Sequence, residues 1–559
     1  MRRLYTEEGR MLPEIPWERY PRPQMKRADW LCLNGPWELQ TGGRKQTIRV
    51  PFCAESLLSG VEHPPKIGEE MRYRRSFAVP EGWRGKRVLL HFGAVMRKCS
   101  VRVNGKTLCR HENGYLPFTV DISDVLREGE NELLVSVVND LDPRYPWGKQ
   151  SKKRGGMWYT PCSGIWQTVW LEPVPESYVR SLTITGGRDW VEIGAEGVRE
   201  GRVLLEGREY ALENGKLHIA LPRARLWSPE EPNLYPFTLE SGEDRVESYF
   251  ALRTLTTETV NGVPRLCLNG KPYFFNGLLD QGYWSDGLYT PAGPEGFEKD
   301  ILAMKALGFN MLRKHIKIEP EQFYYDCDRL GMVVFQDMVN NGEYAYIRDT
   351  VLPTLHFQKR CDKRLHRDPE SRRIFLESME ETARLLGSHP CICLWTIFNE
   401  GWGQFLADEA YERLKALDPG RWIDASSGWF HQNKSDVDSL HVYFDPLHLG
   451  KLPLPQFLSE FGGFVWKEEE HSFNPEKTYG YRKYADRESF AAALRESYGV
   501  ELPPLVRQGL CAAVYTQLSD VEDETNGLLT FDRAVLKLRP EELRDVCEAL
   551  QTVIGEECR

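Results

Sequence analysis

The sequence lacks the features of a membrane, secreted or nucleic-acid-binding protein. Its 72 lysines and arginines are outnumbered by 82 aspartates and glutamates, which gives a net charge of −10. Nucleic-acid binding requires clustered basic residues, and this acidic chain does not favour it. The longest apolar stretches, such as 391–398, are far too short to span a bilayer. No apolar run follows the arginines at positions 2 and 3, so we expect no secretory signal.

Cysteine is present, but its spacing does not indicate a metal site. The 13 cysteines are scattered, no two are separated by two residues, and Cys391 and Cys393 form the closest pair. This spacing excludes a zinc ribbon and is typical of reduced, buried thiols. We therefore expect a cytoplasmic protein that needs no metal or cofactor.

The length of 559 residues predicts several domains, and the pattern changes near residue 258. Before it, short alternating runs such as 87–92 and 132–138 are separated by turn signals, and Asn104-Gly105 predicts a hairpin. The sequence Pro173-Val174-Pro175 marks a seam. We predict one β-sandwich over 1–178 and a small immunoglobulin-like β-sandwich over 179–257.

From 258 to 559, strand patterns alternate with helix patterns. Eight strand segments with intervening helices predict a (β/α)8 TIM barrel. An open doubly wound sheet is the alternative, but its usual G-x-G-x-x-G after the first strand is missing. The predicted strands are 273–277, 309–314, 332–336, 392–398, 421–425, 439–443, 456–459 and 511–517.

Two glutamates follow apolar strands of the predicted barrel. Glu400 comes after strand four, next to Asn399, and Glu460 comes after strand seven. The carboxyl ends of barrel strands meet at one mouth, so we expect the two carboxylates to face one cavity. Neighbouring carboxylates can divide into a proton donor and an ionised partner, which glycoside hydrolysis requires. Either glutamate alone could equally be half of an ion pair.

Other polar or aromatic side chains lie at the same strand ends. We expect them to bind sugar hydroxyls, with an aromatic ring as a platform for the sugar face. His315, His441 and Asp337 could instead ligate a metal with the two glutamates, as in barrel amidohydrolases. No His-x-His follows the first strand, so we predict no metal site. The predicted substrate-binding residues are Asp280, Arg313, His315, Asp337, Asn399, Trp429, His441, Tyr443 and Gln517.

Several motifs occur in the order seen in a known family. The chain resembles glycoside hydrolase family 2, the clan of β-galactosidases, β-glucuronidases and β-mannosidases. The resemblance covers more than 400 residues. It implies a jelly-roll sugar-binding-like domain, an immunoglobulin-like domain and a catalytic barrel. The motifs that carry it include Leu33-Asn34-Gly35-x-Trp37, Gly164-Ile165-Trp166-Gln167, Asn310-x-Leu312-Arg313-x-His315, Asn399-Glu400 and Ser459-Glu460-Phe461-Gly462.

The resemblance also implies roles for individual residues. Glu400 matches the family's general acid/base, Glu460 its nucleophile and Asn399 the amide that binds the sugar 2-hydroxyl. Tyr443 matches the tyrosine that orients the nucleophile. Arg313, His315 and Asp337 would line the subsite of the non-reducing sugar. Dimers and tetramers are common in the family, so the resemblance is compatible with a homo-oligomer, and the sequence itself leaves the oligomeric state open.

We therefore predict a retaining exo-β-glycosidase, β-galactosidase-like, acting on an oligosaccharide or glycoside. This reading predicts carboxyl groups roughly 5–5.5 Å apart, against about 6.5–9.5 Å in inverting enzymes. The alternatives are a β-glucuronidase, β-mannosidase or arabinosidase, or an inactive glycan-binding barrel. The Asn-x-Lys pair that the family's glucuronidases use is not seen after strand seven, and Asn433-Lys434 is adjacent rather than spaced.

Overall fold

The first alternating region forms a β-sandwich of two antiparallel sheets. The structure, a computed structural model, describes residues 1–556. Side chains from both sheets, such as Trp37 and Val135 of one and Leu90 and Leu171 of the other, are buried in one core. In spatial order, one sheet contains Leu31–Cys32, Val169–Val174, Arg87–Phe92 and Phe118–Asp121. The other sheet contains Arg44–Val50, Gly35–Thr41, Glu70–Ala78, Glu130–Val138, Lys98–Val103 and Lys106–His111. A separate two-stranded sheet pairs Val95–Met96 with Gly164–Ile165.

The predicted hairpin at Asn104-Gly105 is present. It joins Lys98–Val103 to Lys106–His111, which pair antiparallel. Asn104 and Gly105 both have positive φ, 50° and 84°. Positive φ at both central residues is what a two-residue turn between twisted strands requires, and it explains the choice of asparagine and glycine.

The segment before the first strand lies outside the sandwich core and ties the domains together. The backbone N–H and hydroxyl of Thr6 donate to Asp286 of the barrel, at 2.8 and 2.7 Å. Arg27 is buried, and its guanidinium pairs with Asp244 of the second sandwich and Glu172 of the first. These long-range contacts give this segment a structural role that its sequence pattern did not indicate.

The second β region folds around its own core, which includes Val191, Ile193, Val203 and Leu239. Its seven strands form two groups that are joined only by the register pair of Glu213 and Lys216. In spatial order the strands are Ser181–Gly186, Trp190–Glu196, Lys216–Ala220, Arg208–Glu213, Glu200–Leu205, Tyr235–Ser241 and Asp244–Phe250.

Eight parallel strands form the barrel. A three-stranded antiparallel sheet of Leu255–Val260, Val263–Leu268 and Lys271–Pro272 precedes them. The first barrel strand, Phe275–Asp280, pairs with both the second, Met311–Lys314, and the last, Leu510–Thr516. This pairing belongs to a barrel and not to the doubly wound alternative, in which the first and last strands do not meet. The strands are β1 (Phe275–Asp280), β2 (Met311–Lys314), β3 (Val333–Asp337), β4 (Ile392–Asn399), β5 (Trp422–Ser427), β6 (Asp438–Val442), β7 (Gln456–Gly462) and β8 (Leu510–Thr516).

The seam between β5 and β6 is closed mainly by other contacts. The Asp436 N–H donates to the Ile423 carbonyl at 2.9 Å. The Ser439 hydroxyl donates to Asp424 at 2.9 Å. The predicted fold, two β-sandwiches followed by a TIM barrel, is confirmed.

Helices cover the outside of the barrel, as in Pro369–Leu386, where Ile374, Phe375 and Met379 lie on the buried face. The Asp368 carboxylate caps that helix by accepting from the Glu370 and Ser371 N–H groups. The α-helices are Glu7–Arg10, Glu295–Ala306, Glu321–Leu330, Leu352–Thr354, Pro369–Leu386, Ala407–Leu417, Arg487–Glu496, Leu502–Gln508 and Pro540–Glu556. Single 3₁₀ turns are Pro23–Met25, Glu81–Trp83, Ser123–Val125, Asp362–Arg364 and Glu469–His471, and the two π turns are Ile347–Val351 and Ser497–Glu501. A short parallel ladder pairs Phe464–Val465 with Arg482–Lys483.

Two boundaries differ from the prediction in ways that affect the site. Strand β1 runs to Asp280 rather than ending at Gly277, and β7 continues to Gly462 rather than ending at Ser459. Glu460 therefore lies within a strand. Through Glu556, the structure contains no helix that is both long and apolar enough to cross a membrane.

Candidate active site

The Glu400 carboxylate is placed by a tight turn at the end of β4. Glu400 has φ 53° and Gly401 has φ 74°. A Cβ at Gly401 would come within 2.3 Å of the Phe430 ring, so glycine is required there. The Glu400 N–H donates to the Ser427 carbonyl at 3.0 Å, which fixes the turn against β5.

Glu460 is placed by irregular strand pairing. The β7–β8 register shifts between Leu458 and Phe461, and the β6–β7 register shifts just before His441, which is the register partner of Glu460. Such bulges redirect side chains. One carboxylate oxygen of Glu400, one of Glu460 and a ring nitrogen of His441 all lie within 4.8 Å of one another. The structure thus brings the two predicted glutamates together.

His441 lies between the two glutamates. Its Nδ1 is 2.8 Å from Glu400 Oε1, and its Nε2 is 3.6 Å from Glu460 Oε1. The Ser427 hydroxyl is 3.3 Å from the same Nε2. The sequence predicted a sugar ligand at this position, whereas these contacts describe a bridge between the two carboxylates.

Arg313 connects four groups at the bottom of the pocket and is fully buried. Its guanidinium donates to Asp337 Oδ1 at 3.0 Å, Asn399 Oδ1 at 2.8 Å and Glu460 Oε1 at 3.2 Å. It also donates to the Ser459 carbonyl at 2.9 Å. With its donors used in this way, Arg313 positions Asn399 and Glu460, a role different from the predicted direct contact with sugar.

The surroundings of Glu460 favour its ionised form. Burial raises the pKa of this carboxyl, but the charges of His441 and Arg313 and the hydrogen bond from Tyr443 outweigh burial and hold the pKa below its ordinary value. The Tyr443 hydroxyl donates to Glu460 Oε2 and also lies 2.9 Å from the Thr516 hydroxyl. An ionised carboxylate held by tyrosine and arginine is suited to nucleophilic attack.

His315 and Asp337 form a buried pair beside Arg313, with 2.7 Å between Nδ1 and Oδ2. Burial and the positive charge of Lys149 lower the pKa of His315 to about 4, although Asp337 opposes this. Burial raises the pKa of Asp337, but Arg313 and His315 lower it below its ordinary value. The pair therefore consists of a neutral imidazole and an ionised carboxylate near neutral pH.

The remaining predicted residues have different surroundings. The Trp429 ring packs edge-on against His441, with centroids 5.3 Å apart, and its Nε1–H donates to the Glu400 carbonyl at 3.1 Å. Gln517 Nε2–H donates to Asn526 at 2.8 Å. Within residues 1–556, Asn399 Nδ2 and Gln517 Oε1 are buried without a hydrogen-bond partner. Both atoms are therefore available to a bound sugar.

The structure does not bring Asp280 into this group. Its carboxylate accepts from Lys314 Nζ at 2.5 Å and from the Gly282 N–H at 2.9 Å. Lys314 Nζ also donates to Glu319 at 2.9 Å. Asp280 thus holds the end of β1 in a buried ion-pair cluster, and its contact with sugar stays a prediction.

Glu400, His441 and Glu460 are also the one triad in residues 1–556 with the ligand spacing of a metal site. A divalent cation there would meet the Arg313 guanidinium, which already lies 3.2 Å from Glu460 Oε1. Like charges this close repel strongly in a buried site. The arrangement favours proton transfer and nucleophilic attack over metal binding.

Two domain families match this chain. The family described as "Glycosyl hydrolase 2 galactose-binding domain-like" matches residues 58–199, and "Glycosyl hydrolases family 2, TIM barrel domain" matches residues 261–452. Together they cover more than half of the sequence. The chain belongs to glycoside hydrolase family 2. The family prediction is confirmed, and the family's members hydrolyse O-glycosidic bonds.

Curated relatives in the family carry two activity names. A beta-glucuronidase of Felis catus is 26% identical over 72% of this chain and 69% of its own length. A beta-galactosidase of Aeromonas hydrophila is 26% identical over 76% of this chain but 43% of its own length. The chain also spans only 39% of the length of a Formosa agariphila relative.

Solved structures of the family share the fold over nearly the whole chain. An uncultured Clostridium beta-glucuronidase superposes with a TM-score of 0.75 at 18% identity, covering 94% of this chain and 99% of that one. A family 2 beta-galacturonidase from Eisenbergiella tayi, bound to galacturonate, gives 0.70 at 21% identity, covering 95% and 99%. At these identities the likeness concerns the fold alone.

Sequence reasoning missed several residues at the barrel mouth. Trp402 and Glu524 are buried near the two glutamates, and the first sandwich contributes Lys149 and Tyr159. Trp402 stands between two glycines directly after Glu400, and Glu524 belongs to an acidic run after β8. Both are signals that could have been used. Lys149 carries no such signal, because only the folded chain brings the sandwich loop to the barrel.

Replacing Tyr443 by phenylalanine tests how Glu460 is held ionised. Removing the hydroxyl raises the pKa of Glu460, so activity that needs the ionised form is lost at a higher pH as the solution is acidified. We expect kcat to fall roughly 10- to 100-fold, as for loss of a hydrogen bond to a charged group, and the acidic limb of kcat/KM to move to higher pH. Tyr210→Phe, in the second sandwich, is the control. An unchanged acidic limb would contradict the assignment.

Proposed function

We propose that this protein is a retaining exo-β-glycosidase, β-galactosidase-like, in which Glu460 is the nucleophile and Glu400 the acid/base. The observation that carries the proposal is the pair of carboxylate oxygens within 4.8 Å of each other over one barrel mouth. This separation is close to the roughly 5–5.5 Å of retaining enzymes and below the roughly 6.5–9.5 Å that leaves room for water in inverting ones.

In the first step, a Glu460 oxygen attacks the anomeric carbon as its bond to the leaving oxygen breaks. Glu400 gives its proton to that oxygen, so the aglycone leaves as an alcohol. Tyr443 and Arg313 keep Glu460 ionised and oriented. Asn399 Nδ2 has donors free for a sugar hydroxyl while its Oδ1 is held by Arg313.

In the second step, water enters from the side that the aglycone has left. Glu400, now ionised, takes a proton from the water as its oxygen bonds to the anomeric carbon. As this bond forms, the bond from that carbon to Glu460 breaks and the Glu460 carboxylate is released. Two inversions give net retention, and splitting one displacement into two lowers each barrier. The proton returns to Glu400, beside His441 Nδ1 at 2.8 Å.

The sugar is proposed from the site and from the relatives together. One matched relative is named a beta-galactosidase, and the Asn-x-Lys pair of the family's glucuronidases is missing from the expected region. A β-glucuronidase is the second candidate, because relatives with that name match 69% of their length. A cytoplasmic location is also proposed, because the 12 cysteines among residues 1–556 are all free.

An aryl glycoside panel with the full chain tests the function. The panel contains β-galactoside, β-glucoside, β-mannoside, β-glucuronide, β-galacturonide and α-arabinoside. We expect chromophore release from at least one β-glycoside. Proton NMR of the preferred reaction should show the β-anomer first, before mutarotation. The α-anomer appearing first would contradict retention, and binding without release would indicate a glycan-binding barrel.

A further inference from the structure

Lys149 is a buried lysine whose ammonium has no anionic partner. The residue is 7% exposed, and its Nζ lies 5.3 Å from the Trp402 ring centroid and 5.8 Å from that of Tyr159. Within residues 1–556 the ammonium makes neither a hydrogen bond nor an ion pair. The side-chain stem is buried, whereas the Nζ atom itself keeps access to open space. Its three N–H donors are therefore available to a ligand with oxygen acceptors.

The loop that carries Lys149 is held firmly at both ends. The Tyr159 N–H donates to the Lys149 carbonyl at 3.0 Å, and the Cys162 N–H donates to the Gln150 side chain at 2.9 Å. The Thr160 N–H donates to Glu522 of the barrel at 3.0 Å. The loop thus presents Lys149 to the barrel mouth in a defined position.

Glu524 provides the complementary acceptor. It is 3% exposed, and its carboxylate accepts from the Tyr159 hydroxyl and from Asn526 Nδ2 at 3.2 Å. A carboxylate accepts about four hydrogen bonds, so capacity remains for a ligand. Burial raises the pKa of Glu524, and the charge of Lys149 opposes this. Both groups contact Tyr159, whose ring centroid lies 5.8 Å from Lys149 Nζ and whose hydroxyl donates to Glu524.

A chain of contacts connects these two groups to the proposed catalytic pair. Lys149 lies over Trp402, whose ring is 6.3 Å from the His315 ring, and Asp337 and Arg313 continue from His315 to Glu460. On the other side, Glu460 binds Tyr443, which stacks on Tyr481 at 3.8 Å. Burial raises the pKa of Tyr481, and the charges of Glu400, Glu524 and Glu460 add to this. Lys149, over Trp402, and Glu524, bonded to Tyr159, therefore lie beside the proposed catalytic pair.

We propose that Lys149 and Glu524 together bind adjacent hydroxyls of the non-reducing sugar, the ammonium donating and the carboxylate accepting. This inference rests on the proposed function and deepens it by naming the substrate class, a neutral sugar with an intact diol. It adds to the site a residue from the first sandwich.

The local charge favours a neutral sugar over a uronic acid. Three acids, Glu522, Asp523 and Glu524, lie beside this part of the pocket. Arg154 is occupied by two of them, at 3.4 Å from Glu522 and 3.3 Å from Asp523. Lys149 alone does not outweigh this negative charge. A sugar carboxylate would meet net repulsion there, whereas a diol uses both the donor and the acceptor.

The test uses the full chain with Lys149→Met, Glu524→Gln and, as a control, Lys152→Met, an exposed lysine of the same loop. On the best neutral aryl β-glycoside, Lys149→Met should lower kcat/KM roughly 10- to 100-fold. The loss should largely disappear on one of the 3-, 4- or 6-deoxy analogues, because the hydroxyl that uses the ammonium is then missing. Lys152→Met should match the parent protein.

Melting curves verify that the variants fold. If Lys149→Met does not fold, Lys149→Gln replaces it in the test; glutamine keeps a neutral donor, so this variant should retain part of the activity. The inference is wrong if the Lys149 variants cut only uronide hydrolysis, since the lysine would then bind a carboxylate. It is also wrong if the loss is equal on every deoxy analogue. The parent protein's own turnover reports separately on the proposed function, which fails if no glycoside of the panel is cleaved.

Discussion

Glu460→Gln should lower kcat by about four to six orders of magnitude, the range seen when an enzyme loses its nucleophile. The amide has the same shape but cannot form the glycosyl ester, so the first displacement has no nucleophile. Arg313 keeps its hydrogen bonds to Asp337 and Asn399, so the barrel should remain folded. Steady-state kinetics on the preferred aryl β-glycoside, with melting curves of both proteins, measure the effect.

Two further measurements make this prediction specific. In Glu460→Ala, azide can occupy the vacated space and attack the anomeric carbon directly, so we expect it to restore turnover and to give an α-glycosyl azide. Glu470→Gln, at an exposed position of the same loop region, is the matched control and should keep parental activity. A Glu460→Gln variant retaining more than a few per cent of kcat would show that another group attacks the sugar.

The sequence predicted the barrel well because its strands and helices are locally encoded. Strands such as β4 and β8 are nearly continuous apolar runs, as expected where both faces are covered. The helix Pro369–Leu386 begins with Asp368 and proline, which are strong start signals. The placement of Asn399 and Glu400 at the end of β4 follows from these local patterns together with the closure of the barrel.

The strand boundary near Glu460 was harder to predict from the sequence. An apolar strand followed by Ser459-Glu460 indicates an end at Ser459, but irregular pairing with both β6 and β8 extends β7 to Gly462. Bulges depend on the neighbouring strands, and a single strand's sequence does not show them. The same is true of His441, whose position between two carboxylates depends on its register with Glu460.

Contacts between distant parts of the chain account for what remained hidden. The sequence did not show that Asp280 pairs with Lys314 on the adjacent strand β2, or that Arg313 holds Asn399, which lies on β4. Lys149 lies more than 250 positions before Trp402 and Glu400 in the chain. No local pattern connects them, so the contribution of the sandwich loop becomes visible only in the folded protein.

Glu400→Gln should separate acid catalysis from nucleophilic attack. Protonation by a positioned acid contributes about 10²- to 10⁴-fold, and it matters most when the leaving oxygen is basic. We therefore expect a loss of this size on an alkyl or phenyl β-glycoside and a much smaller loss on a 2,4-dinitrophenyl β-glycoside, whose leaving group departs without a proton. The high-pH limb of kcat/KM should flatten, because the group whose deprotonation causes it is gone.

The dependence on the leaving group decides between the two glutamates. If Glu400 were the nucleophile, its amide variant would lose activity equally on every leaving group, since no ester could form. If it only paired with His441 across 2.8 Å, the loss would follow neither the leaving group nor pH. Glu412→Gln, an exposed glutamate of the next helix, provides the control. We expect the rate of Glu400→Gln to rise steeply with the acidity of the leaving group, and we expect Glu460→Gln to be inactive with every leaving group. Only an enzyme in which Glu400 is the acid and Glu460 the nucleophile produces this combination.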